Sequence, residues 1–227
     1  MIINGKFKLT YPQIIVFGYL GIILFGGLLL SLPISSRDGT WTAYIDSLFT
    51  ATSATCVTGL VIYDTYIHWS LFGQIIIICL IQIGGLGFMT IITLFSMFLK
   101  RHIGLRERRL LMQSAGSMGI GGIVRLIRRI AIGTLIFEGL GILLLATRFC
   151  PKMGFWKGLY NAIFHSISAF CNAGFDLMGK YGQFSSLTTY SKDIVVNLTI
   201  ALLIIIGGIG FIVWNDIITC RLHIKKY

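Results

Sequence analysis

Two short stretches of this chain carry residue types suited to handling a bare cation: Ser53-Ala54-Thr55-Cys56-Val57-Thr58-Gly59-Leu60 and, 115 positions later, Ser168-Ala169-Phe170-Cys171-Asn172-Ala173-Gly174-Phe175. A dehydrated monovalent cation needs a ring of oxygens in place of its water, and backbone carbonyls supply them without fixed charge. Aiming successive carbonyls at one axis takes backbone angles that glycine reaches without steric cost. Gly59 and Gly174 stand at equivalent positions for that purpose, and neither stretch contains an ionised side chain. The candidate ion-contacting residues are Thr55, Cys56, Val57, Thr58 and Gly59 in the first stretch and Cys171, Asn172, Ala173 and Gly174 in the second, acting through backbone carbonyls only. The blander reading gives both glycines to close helix packing. The duplication argues against it.

Other chemistry is weaker. Cys56 and Cys171 match each other, but both read as small residues in tight loops rather than as a redox or metal pair. The five cysteines show no metal-type spacing and no disulfide framework, and His68 and His165 have no ligand-like partners. Glu138 sits in the middle of an apolar run, where an ionisable group is a functional candidate. A proton relay or a coupling-ion ligand is the sharper assignment. A carboxyl hydrogen-bonded to a neighbouring helix or loop is the preferred one, with Gln82 and Asn197 as further interhelical partners. No nucleophile–base pair or metal ligand set points to an enzyme.

The elements that position these residues are membrane helices. The chain is 56% hydrophobic and 12% charged, and its apolar residues come in runs. A bilayer core about 30 Å thick takes roughly 20 apolar residues per helix. Four segments qualify: Ile14 to Leu32, Trp69 to Leu99, Ile130 to Phe149 and Ile194 to Thr219. The first reads as a retained helix rather than a signal peptide, because it is longer than the usual signal core.

Before each candidate loop lies a segment too short to cross. One runs roughly from Thr40 to Thr52, with Asp38 or Thr40 as its cap. The other runs roughly from Phe155 to Ala169, after the breakers Pro151 and Gly154. These read as re-entrant helices whose partially negative C-terminal ends face a cation near the membrane midplane. Asp64 and Asp176 follow the loops and are expected at the outer mouth, concentrating cations.

Downstream, Ile83-Gly84-Gly85-Leu86-Gly87-Phe88 reappears as Ile206-Gly207-Gly208-Ile209-Gly210-Phe211, 123 positions on. The second copy therefore carries about eight extra residues, in the stretch from Gly179 to Tyr190. The Gly84-Gly85 and Gly207-Gly208 pairs read as close packing against the re-entrant unit, with a gating bend as the alternative. Such repeats are a common construction in membrane transport proteins. The organisation is a first helix–pore-loop–helix repeat over 1–99, a basic linker over 100–129 and a second repeat over 130–227. The linker reads as two short basic helices around a flexible glycine-rich turn. The net charge of +11 concentrates at both chain ends and in this linker. The positive-inside rule places them in the cytoplasm, and attraction to anionic lipid accounts for the basicity without nucleic acid.

With these motifs the chain resembles the Trk/Ktr/HKT superfamily of potassium uptake proteins, most closely the Ktr-type membrane subunit. Thr55-Cys56-Val57-Thr58-Gly59-Leu60 and Phe170-Cys171-Asn172-Ala173-Gly174-Phe175 resemble the first and second of that family's four selectivity filters. The resemblance implies an all-α integral membrane fold, potassium-channel-like, with two tandem repeats of the family's four. It implies potassium transport in the plasma membrane, with sodium as a stimulating ion and Gly59 favouring potassium. It also implies a homodimer and a cytoplasmic nucleotide-binding regulatory subunit, which holds the nucleotide, so that no cofactor is expected on this chain. The third and fourth filters, the gating loop and the blocking Arg of the family lie outside the resemblance. Completion by a C-terminal half, or by a second copy, is therefore expected. The alternative is a non-transporting assembly subunit or an inactive truncated fragment.

Overall fold

The computed structural model describes residues 10–87, 90–91, 93–94, 123–210 and 213–214. Every regular element of more than one residue pair among them is helical: α1 Tyr11–Ser31, α2 Tyr44–Thr55, α3 Thr65–His68, α4 Leu71–Leu86, α5 Ile123–Met153, α6 Phe155–Phe170 and α7 Ile194–Ile209. Short 3-10 turns occupy Pro33–Ser35, Met178–Lys180 and Ser186–Tyr190.

α1 begins where Pro12 supplies a preset φ in the first turn and the Thr10 amide donates to Gln13 Oε1 at 2.8 Å. Its 21 residues extend about 31 Å at 1.5 Å per residue, enough to cross a bilayer core. α5 is longer still, and Pro12–Ser31 and Leu126–Met153 are both apolar enough to span. The outward faces decide the solvent. Phe17, Leu20, Phe25 and Leu28 on α1, Leu135, Ile136, Leu140 and Leu143 on α5, and Leu198, Leu202 and Ile205 on α7 are all exposed. A helix in water turns its polar face outward. Here the outside is as apolar as the inside, as in a membrane protein.

Two groups of helices form. α1, α2 and α4 pack on one another, as do α5, α6 and α7, and α4 meets α6 across the junction. The first group closes on Leu30, Ala51, Ala54, Ile77 and Ile81, joined by Phe164 from α6 and Ala173 from the loop after it. The second closes on Leu145, Phe149, Ala162, Tyr190 and Val196.

Several expectations shift. The two returning helices are not continuous over 69–99 and 194–219. α4 stops at Gly87 with φ 81°, and α7 stops at Gly210 with φ 89°. The third glycine of each Gly-Gly-x-Gly motif adopts a left-handed conformation that ends the helix, as only glycine does without strain. The first short helix starts at Tyr44 after Ala43, not at Asp38 or Thr40. Pro151 breaks nothing, because it lies in the last turn of α5, which ends at Gly154 with φ 83°. Asn197 is not an interhelical partner. Its side-chain amide donates to the carbonyls of Tyr190, Ser191 and Asp193, closing the loop that enters α7. The expected basic helices and turn of the linker lie outside the described residues, apart from the start of α5.

Candidate functional site: two facing loop ends

The two short helices end in the same way. Cys56 after α2 has φ −85° and ψ −1°, and Cys171 after α6 has φ −73° and ψ −5°. The next residue is left-handed in both, Val57 at φ 58° and Asn172 at φ 61°. Val57 N donates to Ala54 O at 3.3 Å and Thr58 N to Ser53 O at 3.0 Å; Asn172 N donates to Ala169 O at 3.0 Å and Ala173 N to Ser168 O at 2.7 Å. These are the paired closing bonds of a Schellman helix end. Glycine usually fills its left-handed position, and asparagine tolerates it. A β-branched valine there is an outlier.

Positive φ recurs two residues later, at Gly59 with 76° and Gly174 with 74°. Alternating positive and negative φ turns successive peptide planes so that like groups share one side, the geometry that makes ion-binding concavities from backbone dipoles. Each loop is pinned by a serine that opens its motif and whose role sequence reasoning left unassigned. Thr58 Oγ1 donates to Ser53 Oγ at 2.9 Å, and Ser168 Oγ donates to Phe175 O at 2.6 Å. The Thr55 hydroxyl is buried without a hydrogen-bond partner among the described residues.

The loops meet at their glycines. A Cβ on Gly59 would lie 2.6 Å from Ala173 O, and one on Gly174 would lie 3.6 Å from Gly59 Cα. Of the predicted loop residues, Gly59 thus lies against Ala173 and Gly174. The contact is lopsided: Ala173 is buried, whereas Thr58 is exposed along with Cys56, Asn172 and Gly174.

Three of the four paired glycines hold the loops from behind; a Cβ on the fourth, Gly208, would stand 3.8 Å from Asn172 Nδ2. A Cβ on Gly84 would collide with Thr55 O, and one on Gly207 with Phe170 O, at equivalent places in the two groups. One on Gly85 would fall 2.5 Å from Cys171 Sγ. Close packing is thus the role of Gly84, Gly85 and Gly207. Glu138 on α5 is buried, and both its carboxylate oxygens accept from Gln82 Nε2 on α4, at 3.0 and 3.3 Å. The pair links α4 to α5.

Asp64 departs from expectation. It is buried, caps α3 by accepting from the amides of Tyr66 and Ile67, and accepts from Phe184 N at 2.8 Å. Gly179 packs against its carboxylate, where any side chain would collide. Three amides satisfy this charge, so it ties the outer loop of the second group to the first rather than presenting a free anion. Asp176 is half-buried and accepts from Met178 N at 2.8 Å. His165, unassigned by sequence, braces the second loop from beneath: it is buried, with Nδ1 2.8 Å from Asn161 O and Nε2 accepting from Leu177 N at 3.4 Å. His68 stands farther out, 3.0 Å from Thr42 Oγ1 and stacked on Tyr63. Burial pushes its pKa below the usual value, while Asp38 and Asp46 pull it upward.

Residues 19–227 match the TrkH family of cation transport proteins. The chain is 42% identical over 219 residues to the potassium/sodium uptake protein NtpJ of Enterococcus hirae, covering 96% of this chain and 47% of that protein. It is 42% identical to the Ktr system potassium uptake protein B of Bacillus subtilis over 94% of this chain and 46% of that one. Against the protein of the same name in Vibrio alginolyticus it is 40% identical, with the same coverage of 94% and 46%. The chain therefore spans about half the length of the curated relatives it matches. A family match over nearly the whole chain, joined to paired loop ends built alike, makes this chain a member of the TrkH cation transport protein family.

Proposed function

We propose that this chain supplies half the ion-selective surface of a potassium uptake pathway in the plasma membrane, as the pore-forming part of a Ktr-type system. One observation carries the reading. Two loops with the same Schellman end and the same positive-φ glycine meet backbone to backbone, with no ionised side chain between them. Carbonyl oxygens are then the ligands on offer, and they suit a monovalent cation stripped of its water. The names of the relatives support potassium, with sodium beside it in one.

On this reading 1–99 and 130–227 are two helix–pore-loop–helix repeats. α2 and α6 are the re-entrant helices, and α2, about 18 Å long, is too short to cross. The candidate filter is Thr55, Cys56, Val57, Thr58 and Gly59 with Cys171, Asn172, Ala173 and Gly174. Two loops enclose an ion on one side only, so further loops, from the rest of a longer chain or from a second copy, close the ring. The basic linker and both ends face the cytoplasm by their charge. There a nucleotide-binding regulatory subunit docks and sets opening, and the assembly is a homodimer.

Rubidium uptake by a potassium-uptake-deficient bacterium that makes the full gene product tests the assignment, with G174S as the altered filter and membrane abundance measured alongside. The expected result is uptake by the parent and a loss of rubidium-over-sodium preference of about tenfold in G174S at equal abundance. An unchanged preference in G174S would remove Gly174 from the filter.

A further inference from the structure

The two loops are not braced equally. Behind the second, three side chains from three elements form a chain of contacts. Glu138 on α5 accepts from Gln82 Nε2 on α4, and the other end of the Gln82 amide, Oε1, accepts from the Cys171 thiol at 3.6 Å. Gly85, close by on α4, leaves the space that the Cys171 side chain fills. Ser166 Oγ donates to the Glu138 carbonyl at 2.8 Å, so α6 is tied to the same turn of α5. Gly141 then packs against Ser166.

The matching place in the second group lacks the device. Ile205 stands where the repeat offset of 123 puts the counterpart of Gln82, and it is exposed and apolar. The carboxylate is thus confined to the seam where the two groups join. A buried carboxylate in an apolar bundle is retained at a cost unless it is hydrogen-bonded. Here its neighbour is an amide already turned toward a loop residue.

We propose that Gln82 and Glu138 are positioning residues for the second loop, with Glu138 fixing the Gln82 amide and Gln82 holding Cys171, so that the Cys171 to Gly174 carbonyls keep the spacing that prefers potassium over sodium. This rests on the pore-loop reading above. The direction of effect follows from ion size. A loop free to shift inward can wrap the smaller sodium ion, whereas a fixed one cannot.

The test is the ratio of rubidium to sodium uptake by the full gene product in proteoliposomes, normalised to inserted protein. Variants are E138A, Q82L, the exchange Q82E/E138Q, and G174S. In the exchange the amide now on α5 donates to the carboxylate now on α4, and that carboxylate still accepts from the Cys171 thiol. The expected result is a ratio lowered about tenfold in E138A and in Q82L, the scale of one hydrogen bond to a charged group. Restoration is expected in the exchange, which a general folding defect would not show. Unchanged ratios in E138A and Q82L beside a lowered ratio in G174S would overturn the brace and leave the pore loops standing. So would lowered ratios that the exchange fails to restore. An unchanged ratio in G174S would overturn the pore-loop reading, and the brace with it.

Discussion

Val57 and Asn172 hold the same left-handed position after their helices, and they hold it with different ease. Asparagine tolerates that region, whereas a β-branched residue is strained there by about 1–3 kcal/mol. N172V should therefore lower the stability of the detergent-solubilised protein by roughly that amount, read as a drop in Tm. An unchanged Tm would mean that the loop end imposes no such conformation. Glycines separate in the same way. G84A drives a methyl group into the Thr55 carbonyl, whereas a Cβ on Gly139 meets nothing within 4 Å. G84A should lose on the order of 1–3 kcal/mol, and G139A should be neutral or gain a few tenths from higher helix propensity. Equal Tm values for the two would refute close packing behind the first loop. At this scale the sequence is readable where a residue type has one physical use. Gly84 and Gly207, whose close packing a Cβ would break, fall in that class, as does the positive φ of Gly59 and Gly174. Val57 does not, because valine carries no signal for a left-handed turn and only the Schellman bonds require one. Ser53, Ser168 and His165 act through bonds to hydroxyls, carbonyls and amides that no residue spacing reveals.

Between helices, the elements appear where apolar runs and short amphipathic segments put them, but their ends move. Hydropathy continues smoothly across Gly87 and Gly210, so a run of apolar residues reads as one helix although the helical backbone is interrupted at the glycine. The cue is the third glycine of each motif, masked by the pair before it. Asp64 misleads for the opposite reason. An acid after a loop suggests an open mouth, yet its partner Phe184 is 120 positions away, in the longer outer loop of the second group. α3 and the turns around it form the outer layer of the first group, with Trp69 buried and Ser36 bridged to it. His68 sits in that layer beside Tyr63, Asp38 and Asp46. Its pKa in the folded protein lies below the ordinary value of 6.5. The unfolded chain therefore takes up the proton first as pH falls, and His68 favours folding above about pH 6.5 and loses that contribution below it. Tm should decline as pH drops through this range, and less steeply in H68Q, which keeps a polar partner for Thr42 but does not titrate. Parallel declines in the two proteins would assign the pH dependence elsewhere.

Over the whole molecule, two groups of helices put two equivalent loops in contact, and everything distinctive about the chain converges there. Gly84, Gly85 and Gly207 press the returning helices against the loop bases, Asp64 ties Phe184 of the second group to the first, and Gln82 with Glu138 joins the groups at their seam. The apolar outer faces of α1, α5 and α7 require a lipid or protein surround. The order of segments is legible from repetition, since a duplicated motif constrains a fold more than any single propensity. The contact between the glycines is not, because the 115-position offset establishes equivalence and says nothing of adjacency. An ion bound at that contact is the central claim. Crystals of the full gene product grown in rubidium, with an anomalous difference map, examine it directly. A rubidium peak coordinated by backbone carbonyls of residues 55–59 and 171–174 is the expected result; rubidium bound elsewhere, with no peak at these carbonyls, would contradict it.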